Sequence, residues 1–288
     1  MSTAVIIVGS SRGFGRSVLE NVMKNESFTG KNNKLLIILL TTSAAKTKCV
    51  FNEVHLKIRG HEYKSQENSN IQVIVEEVDL CDVSDCVRVC SVLTISLQHH
   101  RWPVHSVFAF MNSGSIEPVG PLLHKPHEKQ PGIDRFMKST AVHVNLNFLS
   151  FASITKTITQ YCITHKVDRA RIVNISSLAA IQELYGMSIY SAIKGARDSF
   201  IRSLALEVER DGLNPNIKFL SYAPGPMLTD IVKQSLIGPN SPENHVKQAL
   251  PTFVDPDISA ARCVALLVDD NPTWKSGSHL DFYDVTTQ

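Results

Sequence analysis

The feature that most constrains this chain is an alternation. Short aliphatic runs, Val5–Val8, Leu35–Leu40, Ile71–Val78, Val104–Met111, Arg171–Ile175, Ile217–Tyr222 and His279–Tyr283, are separated for the most part by longer amphipathic stretches. Strands that alternate with helices imply a parallel sheet with helices on both faces. Strands buried on both faces read as continuous apolar runs, as most of these do. Right-handed crossovers then predict an α/β fold with a single doubly wound, Rossmann-type sheet of about seven strands, whose ligand site lies at the carboxyl ends of the strands. One domain is expected over residues 1–288.

Composition narrows the classes. Apolar residues make up 43% of the chain, enough for a sizeable core, so a disordered state is excluded. A net charge of +2 is too mild for a nucleic-acid footprint. The longest aliphatic run, Leu35–Leu40, falls far short of the ~18 residues of a membrane span. No leader or lipidation pattern is visible, so a cytoplasmic location is expected. The six cysteines form no CxxC pair, and Cys86 and Cys90 read as residues packed against the sheet. No His of the eleven has ligands at metal spacing, so no metal is expected.

Two stretches break the alternation. Val119–Gly132, with Pro121, Pro126 and Pro131, reads as a loop. Pro224–Pro256 carries six prolines and follows a strand, which predicts a substrate lid over 224–256.

The first strand runs into Gly9-Ser10-Ser11-Arg12-Gly13-Phe14-Gly15 and then an amphipathic stretch. Glycines at this spacing let backbone approach a pyrophosphate, and the helix that follows offers its N-terminal N–H groups to it. Strand two ends Leu40-Thr41-Thr42-Ser43, without the carboxylate that would hold the ribose 2′-hydroxyl of NAD. Arg12 offers a guanidinium to a 2′-phosphate. NADP(H) is therefore the expected cofactor. Asp79 and Leu80 close strand three, where a carboxylate can meet an adenine edge, and Asn112-Ser113-Gly114 closes strand four.

The chemistry is expected farther along. Ser177 ends strand five, and Tyr190 and Lys194 lie four apart at the start of a long helical pattern, on one face. A phenol has a reference pKa of about 10, and a neighbouring ammonium is expected to lower it. Ser177 can orient a carbonyl while Tyr190 supplies the proton, as carbonyl reduction requires.

These motifs, in this order, resemble the short-chain dehydrogenase/reductases over nearly the whole chain. The resemblance implies Ser177 as carbonyl orienter, Tyr190 as proton donor, and Lys194 as the residue that binds the nicotinamide ribose and tunes Tyr190. It implies Asn145 as the holder of a proton-relay water. Thr42, Ser43, Asn112, Gly114, Met227, Leu228 and Thr229 would line the cofactor, and Leu178 and Gly225 the substrate. Val8 and Ser113 depart from the residues usual in the two turns, and Thr42 stands where an Arg for the 2′-phosphate is usual. The ending Lys275–Asp284 is similar to a pterin-reducing branch of the family, in which the carboxylate matching Asp281 accepts the amino-pyrimidine edge of a pterin. The expected substrate is thus a pterin with a side-chain ketone, or another dicarbonyl. The alternatives are a general diketone reductase and a non-catalytic NADP-binding sensor. The 141–161 and 188–210 helices, by the same resemblance, imply a homodimer.

Overall fold

The computed structural model describes residues 1–63, 69–123, 132–229 and 253–284. Most of the alternation read from the sequence becomes βα units. These are β1 (Ser2–Val8), α1 (Gly13–Lys24), the short α2 (Glu26–Thr29), β2 (Lys34–Thr41), α3 (Ala44–Arg59), β3 (Ile71–Glu77), α4 (Val83–Gln98) and β4 (Ser106–Met111). There follow α5 (Ile133–Val144), a π-helical turn (Asn145–Leu149), α6 (Ser150–Thr164), β5 (Arg169–Ile175), α7 (Ser188–Arg210), β6 (Ile217–Ala223), α8 (Pro256–Val268) and β7 (Ser278–Asp281). The strands form one sheet in the order β3-β2-β1-β4-β5-β6-β7, and every pair is parallel. The order reverses between β1 and β4, and such a crevice is where ligands bind in open α/β sheets.

The apolar strands are explained by two cores. On one face Ile6, Ile38, Ala109 and Ile172 pack against α4, α6 and α7. On the other Ile7, Ile37, Phe110 and Val173 pack against α1, α3 and α8. Each fully buried aliphatic side chain contributes roughly 1.5–3 kcal/mol, so a strand apolar on both faces stays central. Cys86 and Cys90 belong to the first core, as their spacing suggested.

Helix starts follow local chemistry. The Ser43 side chain accepts from Lys46 N, Asp82 accepts from Ser84 and Asp85 N, and Asp255 accepts from Asp257 N. The expected 141–161 helix is part of a longer run from 133 to 164, interrupted by the π-helical turn. Such turns shift the helical register by one residue and often mark functional sites. The expected lid falls mostly on residues 230–252, outside the described residues. Its described ends meet, because Val254 N donates to Pro226 O at 2.7 Å. No helix among the described residues is long and apolar enough to cross a membrane.

Candidate active site

The Gly9–Gly15 turn lies at the carboxyl end of β1, beside the crevice. Gly9 adopts φ +85°, a region L side chains avoid. A Cβ at Gly15 would sit 1.9 Å from Gly9 O, so no side chain fits there. Asn112 Nδ2 donates to Gly9 O at 2.7 Å and ties this turn to the end of β4. Arg12 caps α1 without a side-chain hydrogen bond, and the first turn holds no acidic residue. Ser10 Oγ is buried without a partner. A glycine turn, an uncapped helix N-terminus and an orphaned hydroxyl form a donor set that fits a dinucleotide pyrophosphate. Thr229 comes from the β6 loop to lie over Gly13, 3.6 Å from the position of an added Cβ. The turn and the 227–229 segment therefore share one site.

The ribose end differs from expectation. Thr42 is exposed beside a cavity of about 700 Å³ bounded by Glu76, Glu77, Asp79, Asp85 and Arg88. Thr41 and Glu77 are register partners. From there Glu77 Oε2 accepts Ala44 N, the first N–H of α3, at 2.8 Å. The sequence reading found no carboxylate at this corner because it looked only along β2. The structure supplies one from β3. Arg88 is engaged by Glu76, by Asp85 (2.6 Å) and by Glu77 O (2.6 Å). Asp79 closes its own turn, with Oδ1 accepting Cys81 N at 2.9 Å.

The chemical groups converge at the ends of β5 and α7. Ser177 starts a short 3₁₀ turn, its Oγ accepting Ala179 N at 3.2 Å, and its hydroxyl lies near that of Tyr190. Lys194, buried, lies one turn after Tyr190 with Nζ 5.6 Å from the phenol ring centre. Its Nζ donates to Ile175 O at 2.6 Å. The expected electrostatics reverse here. Burial raises the Tyr190 pKa above the ordinary phenol value, and the Ser177 hydrogen bond and Arg197 charge offset this only in part. Burial and the Arg197 charge pull Lys194 well below the ordinary lysine value. Tyr190 is therefore held as the neutral phenol, the form a proton donor needs.

Asn145 opens the π-helical turn, and its Nδ2 donates to Cys81 O at 3.3 Å. Asn147, in the same turn, is buried by the end of β4: its Oδ1 accepts Ser115 N at 2.7 Å, and it lies against Gly114. Two asparagines two apart on a helix face different ways.

Behind the site lies Arg197, also missed in the sequence. Its buried guanidinium donates to Asn174 Oδ1 (2.8 Å), Met111 O (2.6 Å) and Ser113 O (3.1 Å), so it locks the end of β4 to β5. Met187 packs with Ile116 and Tyr190. Gly225 and Leu178 are half-buried. Asp281, at the end of β7, is 6% exposed. Its Oδ1 accepts Tyr283 N at 2.9 Å, and its Oδ2 has no partner.

Comparison with known proteins agrees with this arrangement. The family model for short chain dehydrogenase matches residues 105–238, which include Ser177, Tyr190 and Lys194. Sepiapterin reductase of Xenopus laevis is 28% identical over 98% of this chain and 96% of its own length. The chain is thus similar to short-chain dehydrogenases over 105–238 and to a sepiapterin reductase along nearly its whole length. The mouse (Mus musculus) sepiapterin reductase is 40% identical over 39% of the chain and 42% of its own length. The fold is that of a Brucella melitensis 3-ketoacyl-(acyl-carrier-protein) reductase crystallised with NADH, with a TM-score of 0.65 at 16% identity over 97% of this chain and 96% of that one.

Proposed function

We propose that this short-chain reductase is an NADPH-dependent carbonyl reductase of sepiapterin type, acting on the side-chain ketone of a pterin such as sepiapterin or 6-pyruvoyl-tetrahydropterin, in tetrahydrobiopterin synthesis. The observation that carries the pterin reading is the Asp281 carboxylate. A buried carboxylate oxygen without a partner is costly. A pterin presents an amino group and a ring N–H side by side, which a carboxylate accepts as a pair. The similarity to sepiapterin reductases along the full chain supports the same reading.

The dinucleotide supplies a hydride to the carbonyl carbon. The Gly9–Gly15 turn, Asn112, Gly114 and the Met227–Thr229 segment would hold it. Ser177 and Tyr190 would present two neighbouring hydroxyls to the carbonyl oxygen. Tyr190 then gives its proton to that oxygen as the alcohol forms. Lys194, one turn after Tyr190 with Nζ 5.6 Å from its ring centre, would bind the nicotinamide ribose beside the phenol. Asn145 would hold the proton-relay water, and Asn147 would brace the Gly114–Ser115 turn. Leu178, Gly225 and Met187 would line the substrate. Purified protein tests this reading: sepiapterin-dependent oxidation of NADPH supports it, and turnover of small diketones alone replaces it with a general diketone reductase.

Cofactor preference is a balance. Arg12 favours a 2′-phosphate, whereas Glu77 holds the N-terminal N–H of α3 and repels a dianion there. Glu77→Gln is expected to raise the NADPH to NADH ratio of kcat/KM by about fivefold to tenfold, one removed charge repulsion at a solvent-exposed site. Fluorescence titration of each dinucleotide should show the same change in Kd. An unchanged ratio removes Glu77 from cofactor selection.

The proposed enzyme acts as a homodimer through the 141–161 and 188–210 helices. Val142, Leu149 and Leu206 expose large apolar side chains on these elements, and α5 has no buried residue. Apolar surface of this kind marks an interaction face. Sedimentation velocity should return the mass of two chains, and Leu149→Lys with Leu206→Lys should return one. A wild-type monomer rejects the dimer.

A further inference from the structure

β7 is the outermost strand of the sheet and is four residues long. It pairs only with β6, through Leu220–Ala223. A short edge strand is held weakly by its ladder alone. Yet it carries Asp281, whose distance from Tyr190 must match the distance between the ring edge of a substrate and its ketone.

Side chains alternate across a strand. Leu280 and Phe282 belong to the core beneath α1 and α8. His279, next to Leu280 in the strand, therefore points to the other face, toward α7. There His279 Nδ1 meets Asp198 Oδ2 at 2.6 Å. Asp198 is 1% exposed and lies on α7 one turn after Lys194, which itself lies one turn after Tyr190. Its Oδ1 accepts Asn174 Nδ2 at 2.9 Å and Ser176 Oγ at 2.7 Å. Ser176 is the residue before Ser177. One buried carboxylate thus joins the helix of Tyr190, the strand of Ser177 and the strand of Asp281. Burial pushes the Asp198 carboxyl up, but hydrogen bonds from His279 and Ser176 outweigh it and hold it below the ordinary carboxylate range. An ionised Asp198 fixes the His279 proton on Nδ1, as carboxylate partners do for imidazoles elsewhere.

We infer that the Asp198–His279 pair is a clamp that sets the position of Asp281 relative to Tyr190, and that His279 is a positioning residue for the substrate ring. The inference rests on the reading of Asp281 as the anchor of the pterin. It goes beyond it by naming what holds the anchor in place. A substrate that does not reach Asp281 does not depend on the clamp.

The test compares His279→Phe, His279→Asn and His279→Gln in the full-length protein. The Asn amide can place its nitrogen close to the Nδ1 position, whereas the Gln amide lies one carbon farther out. Each variant is assayed with sepiapterin and with butane-2,3-dione, and sepiapterin binding is followed by fluorescence. His279→Phe and His279→Gln are expected to raise KM and Kd for sepiapterin by about tenfold or more, as misplacement of an anchoring group does. Their kcat with butane-2,3-dione should stay near wild type, and His279→Asn should be close to wild type with both substrates. Equal losses with both substrates, or an unchanged sepiapterin KM, overturn the clamp. If the Phe variant fails to fold, the Asn and Gln variants decide, and equal behaviour of these two also overturns it. Failure of the wild type to bind sepiapterin takes the pterin reading and the clamp down together. Normal wild-type binding with insensitive variants takes down the clamp alone.

Discussion

Tyr190→Phe is expected to lower kcat for ketone reduction by about 10²–10⁴-fold, the usual worth of a positioned general acid. Dinucleotide affinity should be largely unchanged, because the change removes one hydroxyl and leaves the ring packed against Ile116 and Met187. Steady-state rates together with fluorescence titration of NADPH separate the two effects. Burial raises the phenol pKa, so the donor stays protonated throughout the neutral range. Reduction should therefore show no loss from this group until pH rises past the ordinary phenol value. A variant that kept wild-type kcat would assign the proton to another group, whereas lost kcat with unchanged cellular function would bring the sensor alternative forward. The asparagines give an internal control. Asn147→Ala should lower kcat, because it frees Ser115 N and the Gly114 turn. Asn145→Ala, which loses a 3.3 Å contact to Cys81 O, should lower kcat as well if Asn145 holds the relay water, and stay near wild type if Asn147 alone serves the site.

Asp281→Ala is expected to remove most activity on pterins and little on small diketones. Deleting one partner of a buried, charged hydrogen-bonded pair costs roughly 2–5 kcal/mol, on the order of 30-fold or more in kcat/KM. Asp281 Oδ1 also holds Tyr283 N, so alanine could loosen the end of the chain. Asp281→Asn keeps an oxygen for that bond and removes the charge. Selective loss of sepiapterin turnover in both variants, with diketone turnover intact, ties the specificity to the carboxylate. Equal loss on both substrates would tie it to the fold.

Much of this was legible from the sequence because it depends on patterns with a fixed physical period. Short runs rich in apolar residues, unbroken at Val5–Val8 and Leu35–Leu40, located the seven strands, since a sheet covered on both faces buries them. The Gly9–Gly15 spacing located the β1 turn, where a Cβ at Gly15 would strike backbone. Tyr190 and Lys194, four apart, did fall on one face of α7. What was missed depends on contacts between distant segments. Asn147 was not singled out because the π-helical turn that carries it against Gly114 leaves no mark in the apolar pattern. Glu77 lay unremarked inside the Ile71–Val78 run, and only its register opposite Thr41 brings it to the start of α3. The Tyr190 environment was misjudged because a sequence shows the lysine nearby but not the burial that outweighs it. The buried pair Arg197 and Asp198 sits mid-helix, where charged residues ordinarily face solvent. Its partners come from β4, β5 and β7, far along the chain.

The most direct measurement is the initial rate of NADPH oxidation by the purified wild-type protein with sepiapterin as the sole acceptor, run beside butane-2,3-dione. Turnover of sepiapterin with a higher kcat/KM than the diketone is the expected result, and it joins Ser177, Tyr190 and Asp281 in one reaction. Diketone turnover without any sepiapterin-dependent oxidation would contradict the pterin assignment and leave only the reductase chemistry.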